Sequence, residues 1–203
     1  MTKIKICGIK NLTDIKFINA LSPDFAGFVM FFEKSHRSIS VQNADELLAQ
    51  LDRGIKSVAV TVSPTEIQLE QIHDLGFDYV QIHGEIDDTL LHKCRTPIIR
   101  AINLSGIESI NNFVNYDNVK GILFDSAVPG SGKCFDHGLL KKLPKTDKML
   151  FLAGGLTPDN VEQAIRQVRP FAVDVSSGVE LADKSGKDFA LVKAFIENVR
   201  NAD

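Results

Sequence analysis

Short apolar, β-branched runs alternate along the chain with longer stretches whose apolar residues recur at helical spacing. The runs are "KIKICGI" (3–9), "FAGFVMF" (25–31), "IKSVAVTV" (55–62), "YVQIHG" (79–84), "IIRAINL" (98–104), "GILFDS" (121–126), "MLFLAG" (149–154) and "FAVDVSSG" (171–178). Each predicts a strand. The amphipathic stretches between them have recognisable starts. One is "NLTDIKFINAL" from Asn11 and another "SVQNADELLAQLD" from Ser40. In "SPTEIQLEQIHDLG", Ser63 reads as the N-cap, Pro64 as the first turn and Glu66 as the closing residue of a capping box. In "TPDNVEQAIRQV", Thr157 and Pro158 take the same roles, and "KDFALVKAFIENVRN" predicts a last helix after the eighth strand.

Eight strand–helix units in 203 residues predict an α/β chain folded as a (β/α)8 TIM barrel, with short loops, because that fold typically takes about 250 residues. No Pro/Ser-rich linker, composition shift or low-complexity segment divides the chain, so one domain over 1–203 is expected. An open doubly wound sheet would place a G-x-G-x-x-G turn after its first strand, and "CGIKN" is not one. The glycine-rich turns come late, where a phosphate-binding barrel keeps them.

Composition narrows the function classes. The net charge of −3 and the absence of a long Lys/Arg run leave no footprint for nucleic acid, so a small anionic ligand must be held by local charge. Cys7, Cys94 and Cys134 form neither a disulfide framework nor metal-ligand spacing, and a reducing cytoplasm is expected. No signal-like or membrane-spanning apolar run occurs.

A barrel carries its chemistry at the carboxyl ends of its strands. Cys7 ends the first predicted strand, His83 and Gly84 the fourth, Asp125 and Ser126 the sixth, "AGGLT" the seventh and "DVSSGVE" the eighth. Gly154, Gly155, Ser176, Ser177 and Gly178 suit an oxyanion, since small residues let backbone N–H groups approach it and hydroxyls add donors. Paired at the last two strands, these turns favour phosphate over simple chain reversal. Asp125 follows the apolar "GILF", where burial can keep a carboxyl protonated for general acid work. It could instead cap a helix or pair with Lys133. Cys7 is either a small buried hydrophobe or a reactive thiol, while Cys94 and Cys134 read as the former.

These residues, in this order, resemble the phosphoribosylanthranilate isomerase family. The resemblance rests on "KICGI", "GFVMFFEKSHRSIS" (27–40), "YVQIHG", "ILFDSAVPGSGKCFD" (122–136), "LAGGLTPDNV" (152–161), "PFAVDVSSGVE" (170–180) and "GKD" (186–188), and it covers the whole chain. It implies the same barrel and a cofactor-free, metal-free Amadori rearrangement of N-(5-phosphoribosyl)anthranilate to 1-(2-carboxyphenylamino)-1-deoxyribulose 5-phosphate. The family's general acid falls on Asp125 and its general base on Cys7. Arg37 is the counterpart of the arginine that holds the anthranilate carboxylate, and Gly155, Ser176, Ser177 and Gly178 fall on the phosphate site. Asp174 and His83 lie in matching motifs but receive no chemical step. The expected partner is the small phosphoribosyl substrate, with no nucleic acid or membrane, and the chain is expected as a monomer or homodimer. Two positions depart from the family's pattern: His36 stands where proline is common, and His137 where tryptophan is. Rival phosphosugar barrels would need paired carboxylates or a metal, as in an epimerase, or a catalytic lysine and longer amino terminus, as in indole-glycerol-phosphate synthase. A non-catalytic phosphosugar-binding barrel could keep the late turns while losing Cys7 or Asp125.

Overall fold

The structure, a computed structural model, describes residues 1–103, 113, 115–125 and 146–202. Ser126, Lys133, Cys134 and His137, and Leu104 of the fifth predicted strand, lie outside the described residues. The strands are β1 (Lys3–Cys7), β2 (Phe25–Met30), β3 (Ser38–Ile39), β4 (Lys56–Val62), β5 (Tyr79–His83), β6 (Ile98–Asn103), β7 (Val119–Asp125), β8 (Met149–Ala153) and β9 (Ala172–Val175). All pair in parallel, in the order β1, β9, β8, β7, β6, β5, β4, β2, and the pairing of Lys5 with Phe25 and Cys7 with Gly27 joins β1 to β2 and closes the ring. Eight strands therefore make the barrel, as the apolar runs predicted. The two-residue β3 was not anticipated; it hangs on the end of β2 through Val29 and Met30.

Alternation along each strand sends neighbouring side chains to opposite faces. In β1, Ile4 and Ile6 point outward and join Phe28, Val80, Ile82 and Val173 in the core beneath the helices. Lys5 and Cys7 point inward. The interior is apolar low down, where Phe25 meets Phe151 edge-on at 5.4 Å and Tyr79 at 6.0 Å. It becomes polar toward the carboxyl ends, with Gln81, His83, Asp125 and Asp174. Aromatic packing thus closes one end, and the chemistry faces the other.

The described helices are α1 (Leu12–Leu21), α2 (Val41–Leu48), α3 (Glu66–Asp74), α4 (Asp88–Lys93), α5 (Pro158–Val168) and α6 (Phe189–Ala202). Asn11, Ser40 and Asp87 cap α1, α2 and α4 by accepting from backbone N–H groups three residues on. One cap differs from expectation. Thr65, not Ser63, starts α3, in a reciprocal capping box with Gln68. Ser63 adopts a positive φ of 45° and turns its hydroxyl to accept from the Glu85 N–H, tying the end of β4 to the loop after β5. Thr157 and Pro158 do open α5, with Asn160 accepting from the Thr157 N–H. No described helix is long and apolar enough to cross a membrane.

Candidate active site at the barrel mouth

Cys7 is the last residue of β1, buried and facing the interior. Burial pushes its thiol above the ordinary value, although Lys5 and Lys187 pull the other way. Asp125 ends β7 on the face it shares with the interior residue Leu123. Burial, with the nearby charge of Asp174, raises its carboxyl too. The barrel mouth therefore presents one carboxyl and one thiol that burial pushes upward.

Gly8 explains how the first loop accommodates its neighbours. A Cβ at Gly8 would lie 2.7 Å from Arg37 Cδ and 3.3 Å from both Lys187 Nζ and Ser176 Oγ. Only a residue without a side chain lets these three groups converge beside Cys7. Ser176 Oγ donates to the Cys7 carbonyl at 3.1 Å, so its hydroxyl fixes the strand end that carries the thiol.

Arg37 lies in the segment between β2 and β3, with its Nε and Nη2 donating to the two carboxylate oxygens of Glu180 at 2.6 and 2.8 Å. Lys187 Nζ donates to Glu180 Oε1 and to the Ser176 carbonyl, each at 3.1 Å, and His36 Nε2 is 3.5 Å from Glu180 Oε2. Burial alone would raise the Glu180 carboxyl, but its hydrogen bonds and the charges of Arg37 and Lys187 hold it at about 2. Glu180 occupies one edge of the guanidinium. The other edge, formed by Nη1 and the second Nη2 hydrogen, has the geometry for a second carboxylate.

The predicted phosphate turns do lie together. A Cβ at Gly178 would be 2.0 Å from the Leu156 carbonyl oxygen and 3.2 Å from Thr157 Cα, so the turn after β9 packs directly on the loop after β8. Ser177–Val179 form a single 3-10 turn following Ser176, and Ser177 is exposed at its start. Gly155 shows its carbonyl to Asn160 Nδ2 at 2.9 Å, which anchors that loop to the first turn of α5.

Three charged groups of the site escaped the sequence reading. Lys5 is wholly buried inside the barrel and donates to Asp174 Oδ1 at 3.0 Å. Burial opposes its charge, but Asp174 and Cys7 together hold the ammonium above its ordinary value. Lys187 is 1% exposed, and burial lowers it despite Glu180. Glu180 is the third. The available signal for Lys5 was its spacing: two residues before Cys7 in a strand, it must share the thiol's face. His83, near Gln81 Nε2 at 2.7 Å, is pushed down to about 4 by burial and by Lys5 and Arg100, and so stays neutral. Cys94 ends α4, with its thiol donating to the Thr96 carbonyl, away from the mouth. Among the described residues, no group of three His, Cys, Asp or Glu could hold a metal.

Comparison with known proteins agrees with this fold. The family model for N-(5'-phosphoribosyl)anthranilate isomerase matches residues 4–198. The N-(5'-phosphoribosyl)anthranilate isomerase of Clostridium kluyveri is 42% identical over 99% of both chains. The crystal structure of the Thermotoga maritima phosphoribosyl anthranilate isomerase superposes with a TM-score of 0.85 at 38% identity, covering 99% of this chain and all of that one. A structure of such an isomerase in complex with reduced 1-(o-carboxyphenylamino)-1-deoxyribulose 5-phosphate gives 0.82 at 36% identity, over 99% of this chain and all of its own. This chain belongs to the phosphoribosylanthranilate isomerase family.

Proposed function

We propose that this family member carries out the Amadori rearrangement of N-(5-phosphoribosyl)anthranilate with Asp125 as general acid and Cys7 as general base. The observation that supports the pairing is their placement: one carboxyl that burial pushes upward and one thiol, both interior, at the carboxyl ends of β7 and β1. Asp125 gives its proton to the furanose ring oxygen. The bond from C1 to that oxygen breaks, and the anilino nitrogen supplies the electron pair that makes a C1 iminium. Cys7 thiolate then removes the C2 proton, the C2–H electrons form the C1–C2 double bond, and the iminium becomes a neutral enolamine. Tautomerisation moves the C2 hydroxyl proton to solvent and a solvent proton to C1, leaving the ketone. The proton gained by Cys7 balances the one lost by Asp125, so exchange with solvent restores the starting state.

The free edge of the Arg37 guanidinium suits the anthranilate carboxylate, and the joined turns at Gly155, Ser176, Ser177 and Gly178 suit the phosphate at the far end. A base that must remain a free thiol fits a reducing cytoplasm, where we place the enzyme, as a monomer or homodimer. A phosphosugar-binding barrel without catalysis would bind the same ligand and leave it unchanged. Substrate generated in situ and followed by its fluorescence separates the two. Wild type should consume it, and Cys7→Ala and Asp125→Asn should each lower kcat by at least ~10² with little change in Tm. Near-normal kcat in Cys7→Ala would return the thiol to a packing role, with Cys94→Ala as the control.

A further inference from the structure

Burial raises both groups, which suits an acid but opposes a base that must lose its proton. Lys5 and Asp174 are buried charges that face the barrel interior and are hydrogen-bonding register partners on β1 and β9. Their surroundings are specific. The point that a Cβ on Gly27 would occupy is 2.9 Å from Cys7 Sγ and 3.1 Å from Lys5 Nζ, so thiol and ammonium converge on the same small gap. On the other side, Asp125 is paired with Ala153, and the register of Phe151 on Ala172 brings β9 in at the level of Asp174. The pair thus spans the space between base and acid.

We infer that Lys5 and Asp174 are positioning residues that act as one buried dipole, the Lys5 ammonium stabilising the Cys7 thiolate and the Asp174 carboxylate keeping the proton on Asp125. This rests on the assignment of Cys7 and Asp125 above. When a base has a higher pKa than its partner acid, the fraction of enzyme with the base ionised and the acid protonated is flat between the two values. That fraction equals ten raised to the acid's pKa minus the base's. Every unit by which the gap narrows therefore yields tenfold more competent enzyme. Lys5 narrows it from above by pulling the thiol down, and Asp174 narrows it from below by pushing the carboxyl up. Asp174 also acts on the thiol in the unhelpful sense, but Lys5 is the stronger influence there. The other charges facing the thiol are Lys187, which also pulls it down, and Arg37, whose guanidinium is already committed to Glu180. His83 faces Lys5 from β5 and is neutral. A purely architectural ion pair is a poor use of this position, because apolar residues of equal volume are often at least as stable.

The test is made on the intact enzyme with Lys5→Met, Asp174→Asn and the apolar double variant Lys5→Met/Asp174→Leu. Cys7 alkylation by iodoacetamide, resolved by peptide mass spectrometry, reads the thiolate without turnover, while kcat and KM are followed against pH. Lys5→Met should slow alkylation at fixed pH by about ten- to a hundredfold, move the basic limb of the kcat profile upward and lower its plateau by the same factor, with KM held. Asp174→Asn should do the opposite to alkylation and move both limbs downward. The double variant keeps the question answerable if a single change leaves an unpaired buried charge and does not fold, and it should also alkylate more slowly than wild type. Folded Lys5→Met or double variants with wild-type alkylation and an unmoved basic limb would overturn the inference. That result is distinct from failure of the Cys7 assignment, which would show as retained activity in Cys7→Ala.

Discussion

Arg37 gives one edge of its guanidinium to Glu180 and, in the proposed function, the other to the substrate carboxylate. Glu180 takes the Nε and Nη2 edge and fixes the plane of the group, while the stem passes over Gly8, where no Cβ obstructs it. A lysine could reach Glu180 but could not present a second, coplanar pair of donors. Arg37→Ala should therefore cost about 2–4 kcal/mol in kcat/KM, mainly as a raised KM, and Arg37→Lys should recover little of it. A substrate analogue lacking the carboxylate should be handled alike by wild type and both variants. Equal handling of the ordinary substrate would move the anthranilate end elsewhere. The strand-end placement of Cys7 and Asp125 was legible because polar side chains at the ends of apolar runs stand out against their surroundings, while Arg37 was singled out only by a matching motif. Lys5 and Lys187 were not. In "KIKIC" the lysines look like the solvent face of a strand, and only closure of the barrel turns that face into an interior. Lys187 is buried where Glu180 and Ser176, on the turn before it, meet the distant segment that carries Arg37, and only that long-range meeting takes its charge out of solvent.

At the scale of elements, the proposed phosphate site depends on two loops meeting rather than on either alone. The contact that joins them is the backbone of Leu156 and Thr157 against Gly178, with no room for a methyl group. Gly178→Ala should force the turn after β9 away from the loop after β8. We expect inorganic phosphate, as a competitive inhibitor, to lose at least about tenfold in affinity, with a stability loss of roughly 1–3 kcal/mol from overpacking. Gly54→Ala, where the added methyl meets nothing within 4 Å, is the matched control. Unchanged phosphate inhibition in Gly178→Ala would place the anion away from these turns. The strands were the most legible elements, since runs such as "FAGFVM" are buried throughout, as parallel strands covered on both faces should be. Helix starts were legible to within a turn. "SPTEIQ" offers two capping residues, and a local motif could not reveal that Ser63 is drawn off by Glu85 from the next loop. The two-residue β3 carries no periodicity to detect.

For the whole molecule, the eightfold rhythm predicted the ring, yet it could not reveal that the upper interior holds charge. That charge has a consequence for stability. His83 faces the same interior as Lys5, and burial with the charges of Lys5 and Arg100 takes it to about 4, below the ordinary value of 6.5. The unfolded chain binds this proton more readily than the folded one. Stability therefore rises with pH through this window, and it falls as pH drops from about 6.5 toward 4. Glu180 contributes with the usual carboxylate sign: held at about 2 in the fold, it stabilises fully above its ordinary value of 4.5 and loses that contribution as pH falls through 2. Its effect begins where that of His83 is ending. The raised carboxyl of Asp125 acts in the opposite direction, gaining the fold some stability as pH falls. Comparing wild type with His83→Gln removes Glu180, Asp125 and the other four histidines from the difference, because both proteins carry them. Urea unfolding at pH 6.5 and at 4.5 should show wild type losing on the order of 1–3 kcal/mol more than His83→Gln between the two. Equal losses would mean that His83 titrates in the fold as it does in water, and that the barrel mouth is wetter around β5 than its burial and neighbouring charges imply.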